Sequence, residues 1–216
     1  MKNFLEFSNI SKSFAGRTVL NKISLQVPEG GSLAIIGKSG SGKSTLLNII
    51  GLLESADSGT LHLGGEAAPG VHSRKAMLLR RNTINYLFQS FALIPSQTVM
   101  QNILMGMNYV NQSKIWKNNR IMEVLQQLSI EHLVHQKVAT LSGGEQQRVA
   151  MARCLLKPGK LILADEPTGS LDKELAMVAM NEMLHLHRAY GKTLVIVTHD
   201  PEVAHMCDRV FELKAS

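Results

Sequence analysis

Long apolar runs are missing from this chain of 216 residues. No stretch approaches the roughly 20 consecutive apolar residues that cross a bilayer as a helix. The opening residues, MKNF, also lack the long apolar segment of a secretory signal. These two absences predict a soluble protein that no signal peptide exports.

Cysteines and aromatic residues are scarce as well. Cys154 and Cys207 have no C-x-x-C or other metal-ligand spacing, so we interpret both as reduced, buried thiols of a cytosolic protein. Aromatic residues make up 5% of the chain, and the basic residues are scattered apart from pairs such as Arg80 and Arg81. Single-stranded nucleic acid is bound by basic residues interleaved with aromatic ones, so we expect no nucleic-acid partner. The net charge of +6 is open to two interpretations, a solvated basic surface or attraction to an anionic membrane face.

Hydrophobic residues make up 44% of the sequence and charged residues 19%, which is typical of a globular protein. No repeat, low-complexity tract or linker divides it, so residues 1–216 are predicted to form one domain. Strands are predicted at residues 4–10 and 18–27, around a turn at Gly16, and a helix at residues 45–53. Short apolar runs at residues 32–36, 161–164 and 193–197 are typical of buried parallel strands. Because helical segments separate these runs, the sequence predicts an α/β fold with a mostly parallel sheet.

The stretch from residue 91 to residue 140 differs from its surroundings. It has no apolar strand run, and Ile121, Val124, Leu125 and Leu128 recur at helical spacing. We therefore predict a helical subdomain, at about residues 90–140, inserted into the α/β core. Its apolar stripe is interpreted as core packing.

A phosphate-binding loop is the most specific motif. Residues 37–45 read GKSGSGKST, which matches GxxxxGK[ST], and they lie between a predicted buried strand and a predicted helix. The glycines allow backbone N–H groups to surround phosphates, and the helix N-terminus adds partial positive charge. Lys43 would reach the β- and γ-phosphates, and the Ser44 hydroxyl would bind Mg²⁺. The nucleotide-binding residues of this loop are Gly37, Lys38, Ser39, Gly40, Ser41, Gly42, Lys43, Ser44 and Thr45.

Two acids follow the predicted strand at residues 161–164. The ligand site of a parallel sheet lies at the carboxyl ends of its strands, so Asp165 and Glu166 should lie beside the loop. Asp165 suits the Mg²⁺ shell, and Glu166 is placed to act as general base on the attacking water. A solvated acid pair would leave the preceding apolar run unexplained.

A third motif, LSGGEQQR at residues 141–148, begins with the capping-box pattern Ser142-x-x-Glu145, which predicts a helix start. The run closely resembles the LSGGQ signature of ABC ATPases, and the resemblance covers residues 4–213. It implies a P-loop NTPase core with an N-terminal antiparallel β-subdomain. It also implies that the signature contacts the γ-phosphate held by a second subunit through Ser142, Gly143, Gly144 and Glu145. Glu145 is open to a second interpretation, as a cap residue alone.

Four further positions resemble functional positions of the family. Gln89 resembles the Q-loop glutamine that contacts Mg²⁺ and water, and His199 resembles the switch histidine that orients Glu166. Phe14 resembles the aromatic residue on which adenine stacks; the alternative is a core residue at a strand end. Asp172, in the sequence Ser170-Leu171-Asp172, resembles the D-loop aspartate, or it caps the next helix.

The resemblance further implies ATP and Mg²⁺ as cofactors, an ATP-dependent homodimer and an integral membrane permease. The chain would lie in the cytoplasm, on the inner face of the cell membrane, with a periplasmic or extracellular adaptor as a further candidate partner. Within the family it looks like the lipoprotein-release, macrolide-efflux and antimicrobial-peptide export branch. A mechanotransmitter that moves no cargo is the alternative, since its motor would look the same. Translation-type members carry two cassettes and DNA-repair members carry long coiled coils, which this length excludes, and we expect no C-terminal regulatory domain.

Two residues depart from that branch, and one region has a proposed docking role. Asn85 replaces a usual glycine, and Gln101 replaces a usual glutamate near the transmembrane contact. In ABC subunits the region after the Q-loop receives a coupling helix of the permease. Adaptable apolar side chains suit such a groove, and those here are Phe91, Leu93, Ile94, Met100, Ile103, Leu104, Met105 and Met107. Core packing is the alternative for each of them.

Overall fold

The structure, a computed structural model, describes residues 2–169, 171 and 173–214. Its centre is a five-stranded parallel sheet of order β6-β7-β8-β3-β9. These strands are β3 (Ser32–Ile36), β6 (Ile84–Leu87), β7 (Leu161–Asp165), β8 (Thr193–Val197) and β9 (Arg209–Glu212). The predicted buried strands are confirmed. Strands β6 and β9 were not predicted, because the first is short and the second has few buried residues.

An antiparallel sheet of order β2-β1-β4-β5 covers one side. It consists of β1 (Asn3–Phe14), β2 (Arg17–Pro28), β4 (Ser58–Leu63) and β5 (Glu66–Ala67). The predicted strands around Gly16 are confirmed and are longer than expected. Strand β4 comes from beyond the phosphate loop and pairs with β1, a long-range pairing that local patterns do not reveal.

The parallel strands send alternate side chains into two cores, because successive residues of a strand face opposite sides. Leu33 and Ile35 of β3 lie in the core beneath the antiparallel sheet, whereas Ala34 lies in the opposite core. The same alternation holds in β7, where Leu161 and Leu163 face one way and Ile162 and Ala164 the other. The sheet is therefore buried on both faces, as its apolar strands require.

Seven α-helices are found in the described part of the chain. They are α1 (Lys43–Ile50), α2 (Arg74–Asn82), α3 (Val99–Gly106), α4 (Lys114–Gln127), α5 (Gly143–Leu156), α6 (Lys173–Ala189) and α7 (Pro201–His205). Helix α1 starts two residues before the predicted position and ends at Ile50 rather than at Leu53. Gly42, with φ 95°, is the N-cap residue of α1, and Gly51 is its C-cap residue.

The region of residues 91–140 contains α3, α4 and two short 3-10 helices, Glu131–Leu133 and Val138–Thr140, and none of its described residues forms a named strand. Ile121, Val124, Leu125 and Leu128 are buried, which confirms the predicted helical stripe and its core role. This core continues into α5 and α6 without a break. The subdomain limits near residues 90 and 140 stay a prediction.

The two departures from the family branch are both accommodated. Asn85 is fully buried, and its side-chain amide donates hydrogen bonds to the carbonyls of Cys154 (2.9 Å) and Lys157 (3.1 Å). It therefore ties β6 to the end of α5. Gln101 completes a capping box with Thr98 at the start of α3, a role that an amide fills as well as a carboxylate.

Candidate nucleotide-binding and hydrolysis site

The phosphate loop needs glycine at two positions. Gly37 has φ +156°, and a Cβ there would lie 2.5 Å from the carbonyl oxygen of Leu213. Gly42 has φ +95°, and a Cβ there would lie 2.8 Å from Val19 Cγ1 on β2. Strand packing on both sides therefore forces the backbone of this loop into a tight curve that only glycine permits. Ser41 is buried with its hydroxyl unpaired, so the loop holds a free polar group inside its curve.

Lys43 bridges the loop from within. Its Nζ donates to the carbonyls of Gly37 (2.8 Å) and Lys38 (3.1 Å), and the residue is 9% exposed. A buried ammonium whose hydrogen bonds go to neutral carbonyls has no direct ion-pair partner, and Asp165 acts on it only through space. An anion at the start of α1 would supply the missing charge, and the backbone N–H groups of that helix start would add to its binding.

Ser44 and Asp165 supply oxygen atoms side by side. The Ser44 hydroxyl donates to Asp165 Oδ1 at 3.3 Å, so the first turn of α1 meets the end of β7. Burial raises the pKa of Asp165 above its ordinary value of 3.8, and the neighbouring Glu166 carboxylate raises it further. A hydroxyl and a poorly solvated carboxylate are ligands that Mg²⁺ accepts. The glycine curve, Lys43 and this oxygen pair together fit a Mg²⁺–nucleotide.

Glu166 and His199 meet across the ends of adjacent strands β7 and β8. His199 Nδ1 lies 2.9 Å from Glu166 Oε2. Glu166 has φ 46°, a left-handed conformation that costs a non-glycine residue on the order of 1 kcal/mol. The Glu166 N–H donates to the Val197 carbonyl at 2.9 Å, which holds this conformation in place. In this conformation the Glu166 carboxylate reaches the His199 ring.

A single cleft of about 390 Å³ gathers most of the predicted residues. Its lining comprises Ser39, Gly40, Gly42, Lys43, Ser44, Thr45, Gln89, Asp165, Glu166 and His199, together with Val19 and Gly169. Val19 and Gly169 were not predicted. Gly169 could have been found from the DEPTG run, but Val19 carries no signal, since its place depends on β2 packing beside the loop.

The signature begins a helix, as predicted. The Ser142 hydroxyl accepts from the Glu145 N–H, and Glu145 Oε2 accepts from the Ser142 N–H at 2.8 Å, which completes the capping box at the start of α5. Of the described chain, Ser142, Gly143, Gly144 and Glu145 lie outside the cleft lining, so this chain does not bring them to its own phosphate loop. Gln147, also missed, is buried and donates from Nε2 to the Pro167 carbonyl, which joins α5 to the turn after β7.

Phe14 lies outside the cleft lining as well. Phe14 is 45% exposed at the end of β1, with Lys12 Nζ 5.0 Å from its ring centroid. Its exposure rules out the alternative of a core residue. Asp172 and Ser170 lie outside the described residues. Cys154 and Cys207 are free and buried, as predicted, and burial raises their pKa values to about 11 and about 12.

Known proteins resemble this chain in sequence. Residues 20–169 match the family model described as ABC transporter. A macrolide export ATP-binding/permease protein, MacB, of Shigella flexneri is 42% identical over 99% of this chain, and one of Escherichia coli is 38% identical over the same share. The chain spans about a third of the length of these curated relatives, 34% and 33% respectively.

Solved structures resemble it as well. The dimeric bacterial ABC transporter cassette MJ0796 superimposes with a TM-score of 0.87 at 35% identity, covering 98% of this chain and 94% of that one. The same cassette in a post-hydrolysis dimer with ADP and Pi gives a TM-score of 0.85 at 33% identity, over 98% and 96% of the two chains. CbiO1 of Clostridium perfringens gives 0.90 at 28% identity, over 100% and 86%.

The predicted α/β fold, with its parallel sheet, antiparallel N-terminal sheet and helices, is confirmed by these matches. No helix within the described ranges is both long enough and apolar enough to span a membrane. The family match and the geometry of the cleft agree on the chemistry. The chain belongs to the ABC transporter family, and it is an ATP-binding cassette that hydrolyses ATP with Mg²⁺.

Proposed function

We propose that this cassette powers a membrane permease for export, by closing with a second copy around two ATP molecules. The observation that carries the proposal is the separation of the phosphate loop from the signature, which lies outside the cleft of its own chain. A second copy in a two-fold arrangement would supply the missing signature to each site. The MacB relatives are named for macrolide export and the MJ0796 cassette is a dimer, which supports both halves of the proposal.

Seven of the predicted residues then have a proposed task. Lys43 holds the β- and γ-phosphates, while Ser44, Asp165 and Gln89 hold Mg²⁺, whose charge offsets that of the phosphates. Glu166 accepts the proton of the attacking water, and His199 orients the Glu166 carboxylate through the 2.9 Å contact. Phe14 stacks on adenine.

In the same proposal Ser142, Gly143, Gly144 and Glu145 serve the site of the other copy, and Asp172 lies at the boundary between copies.

The permease is proposed to dock in a second cleft, beside Gln89. This docking cleft, of about 370 Å³, is lined among others by Leu53, Tyr86, Phe88, Arg80, Arg153 and Lys157. The Tyr86 and Phe88 rings stack there with centroids 4.2 Å apart. Phe88 directly precedes Gln89, so a helix moving in the docking cleft would move the Mg²⁺ ligand. Such a link is what coupling of transport to hydrolysis requires.

The proposed closure is tested by mass in solution. Glu166→Gln should hold ATP without hydrolysing it, so with Mg²⁺ and ATP its mass should shift from monomer to dimer. Adding Ser142→Arg should abolish the shift. Ser113→Arg is the matched control, because Ser113 caps α4 as Ser142 caps α5 but lies outside the signature. Dimer closure would be contradicted if the mass of Glu166→Gln did not change with nucleotide, or if Ser113→Arg also abolished the shift.

A further inference from the structure

Large apolar side chains are exposed together in one short stretch of the chain. Tyr109, Ile115 and Trp116 are 65%, 74% and 43% exposed. They lie within eight consecutive residues, in the loop between α3 and α4 and in the first turn of α4. We call residues 109–116 the 109–116 surface. Clustered apolar side chains that face water mark a contact surface, whereas single ones do not.

Hydrogen bonds hold the 109–116 surface in a defined conformation. The Ser113 hydroxyl accepts from the Trp116 N–H at 3.1 Å and so caps α4. Lys117 Nζ donates to the Met107 carbonyl at 2.9 Å, which joins the first turn of α4 to the end of α3. Val124, on the opposite side of α4 from Ile115, is fully buried. The packing of α4 therefore turns Ile115 away from the core.

The surroundings of the 109–116 surface are positively charged. From residue 67 to residue 122 the sequence has no aspartate or glutamate. Lys114 is exposed, and within the described ranges it forms no ion pair. The Arg81 guanidinium lies 4.4 Å from the centroid of the Tyr109 ring, which brings the end of α2 beside the loop. Aromatic and aliphatic side chains are thus combined with cations that no nearby acid in this segment neutralises.

We propose that the 109–116 surface contacts a bilayer of anionic phospholipid. Tyr109 and Trp116 enter the headgroup region, where a ring with one polar atom is favoured, and Ile115 reaches the acyl boundary. Lys114 and Arg81 pair with lipid phosphates. A second copy of the chain fits less well, because a two-fold contact at this surface would bring its cations opposite one another.

The lipid contact goes beyond the proposed function and lies next to it in space. Arg81 directly follows Arg80, which lines the docking cleft. Contact with a bilayer at the 109–116 surface would therefore hold the docking cleft close to the membrane in which a permease lies.

The only tryptophan of the chain, Trp116, reports on this contact directly. The full chain is mixed with vesicles of phosphatidylcholine, or of phosphatidylcholine with phosphatidylglycerol, and binding is measured by co-sedimentation. Binding to the anionic vesicles should be at least about tenfold stronger, since two cations contribute about fivefold each. Added salt should reduce the difference. Trp116 emission should shift to shorter wavelength, and lipids with brominated acyl chains should quench it.

Variants with matched controls locate the contact. Ile115→Ser should weaken binding to the anionic vesicles about tenfold, because an aliphatic side chain then no longer leaves water. Lys114→Gln should weaken it about fivefold. The controls are Val178→Ser, at a 45% exposed position on α6, and Lys22→Gln, at an exposed position on β2, and neither should change binding. Unchanged basal ATP hydrolysis shows that each variant is folded.

Three outcomes would overturn the inference. Equal binding to both kinds of vesicle would exclude recognition of anionic lipid. Co-sedimentation without a change in Trp116 emission would place the lipid contact on another surface. An emission shift on concentrating the protein without vesicles would assign the 109–116 surface to a second copy. The vesicles contain no permease and the assay needs no ATP, so the mass shift of Glu166→Gln tests the proposed motor separately.

Discussion

At the scale of single residues, the cleft stores two unfavourable arrangements that serve chemistry. Asp165 is a partly desolvated carboxylate, and Glu166 has a left-handed backbone conformation. Both are tolerated because the surrounding strands hold them. Each residue gives a prediction of its own.

Glu166→Gln should lower the rate of ATP hydrolysis by about 10²–10⁴-fold, the contribution of a positioned general base. ATP binding should stay close to that of the parent, because the amide keeps the shape of the side chain. Phosphate release and equilibrium ATP binding are the two measurements. Glu174→Gln, a change at an exposed acid in the first turn of α6, is the control and should alter neither. Hydrolysis near the parental rate would exclude Glu166 as the base.

Asp165→Asn should stabilise the nucleotide-free protein at neutral pH while it weakens Mg²⁺-dependent ATP binding. The pKa of Asp165 is raised in the folded state, so its charged form costs free energy above that pKa, and the cost vanishes below 3.8. The gain should be at most about 1 kcal/mol, because the carboxylate is partly exposed and its charge is screened by solvent. Denaturant unfolding followed from about pH 7 to about pH 4 should show the gap between the two proteins narrowing. A gap that widens toward low pH would contradict the assigned cause.

At the scale of elements, α3 divides the apolar residues after Gln89 into two groups. Ile103 and Met107 are 0% and 1% exposed, so they fill the core. For these two residues the alternative interpretation, core packing, is confirmed. Ile94 is 37% exposed, and Met100, Leu104 and Met105 are partly so. None of these residues lines the docking cleft, so only the exposed group can extend the docking surface beyond that cleft.

Ile94→Ser and Ile103→Ala should therefore differ in kind. Ile103→Ala should lower the free energy of unfolding by about 2–5 kcal/mol, since it opens a cavity in the core. Ile94→Ser should change that free energy by about 0.5 kcal/mol or less and leave basal ATP hydrolysis intact. It should still reduce co-purification with the permease. Parental yield of permease with Ile94→Ser would confine docking to the docking cleft, whose lining does not include Ile94.

At the scale of the whole molecule, the nucleotide site is incomplete in one chain. The strand ends supply the phosphate loop, the metal acid, the base and the histidine, but the start of α5 stands apart from them. Completion by a second copy makes stability depend on protein concentration, because mass action then enters the folding equilibrium.

The thermal midpoint of Glu166→Gln with Mg²⁺ and ATP should consequently rise as the protein is concentrated. Without nucleotide the midpoint should be independent of concentration. Calorimetry over a hundredfold concentration range gives the comparison, and the Ser142→Arg double variant should show no concentration dependence under either condition. A midpoint that rises with concentration only in the absence of nucleotide would contradict ATP-driven closure.

The sequence by itself determined the local chemistry. The glycines, Lys43 and Ser44 act within one turn, and the capping box of Ser142 and Glu145 spans four residues, so neighbours along the chain suffice to predict them. The apolar runs likewise predicted three of the five parallel strands, because strands buried on both faces need continuous apolar residues.

Tertiary structure decided which distant residues meet. Glu166 and His199 lie 33 positions apart in the chain and 2.9 Å apart in space, because β7 and β8 are neighbours in the sheet. The order of strands, the return of β4 to β1 and the place of Val19 depend on packing between layers, for which local periodicity carries no information. The docking cleft also depends on tertiary structure. Its three cations come from α2 and from the end of α5, and only the fold brings them around one cavity.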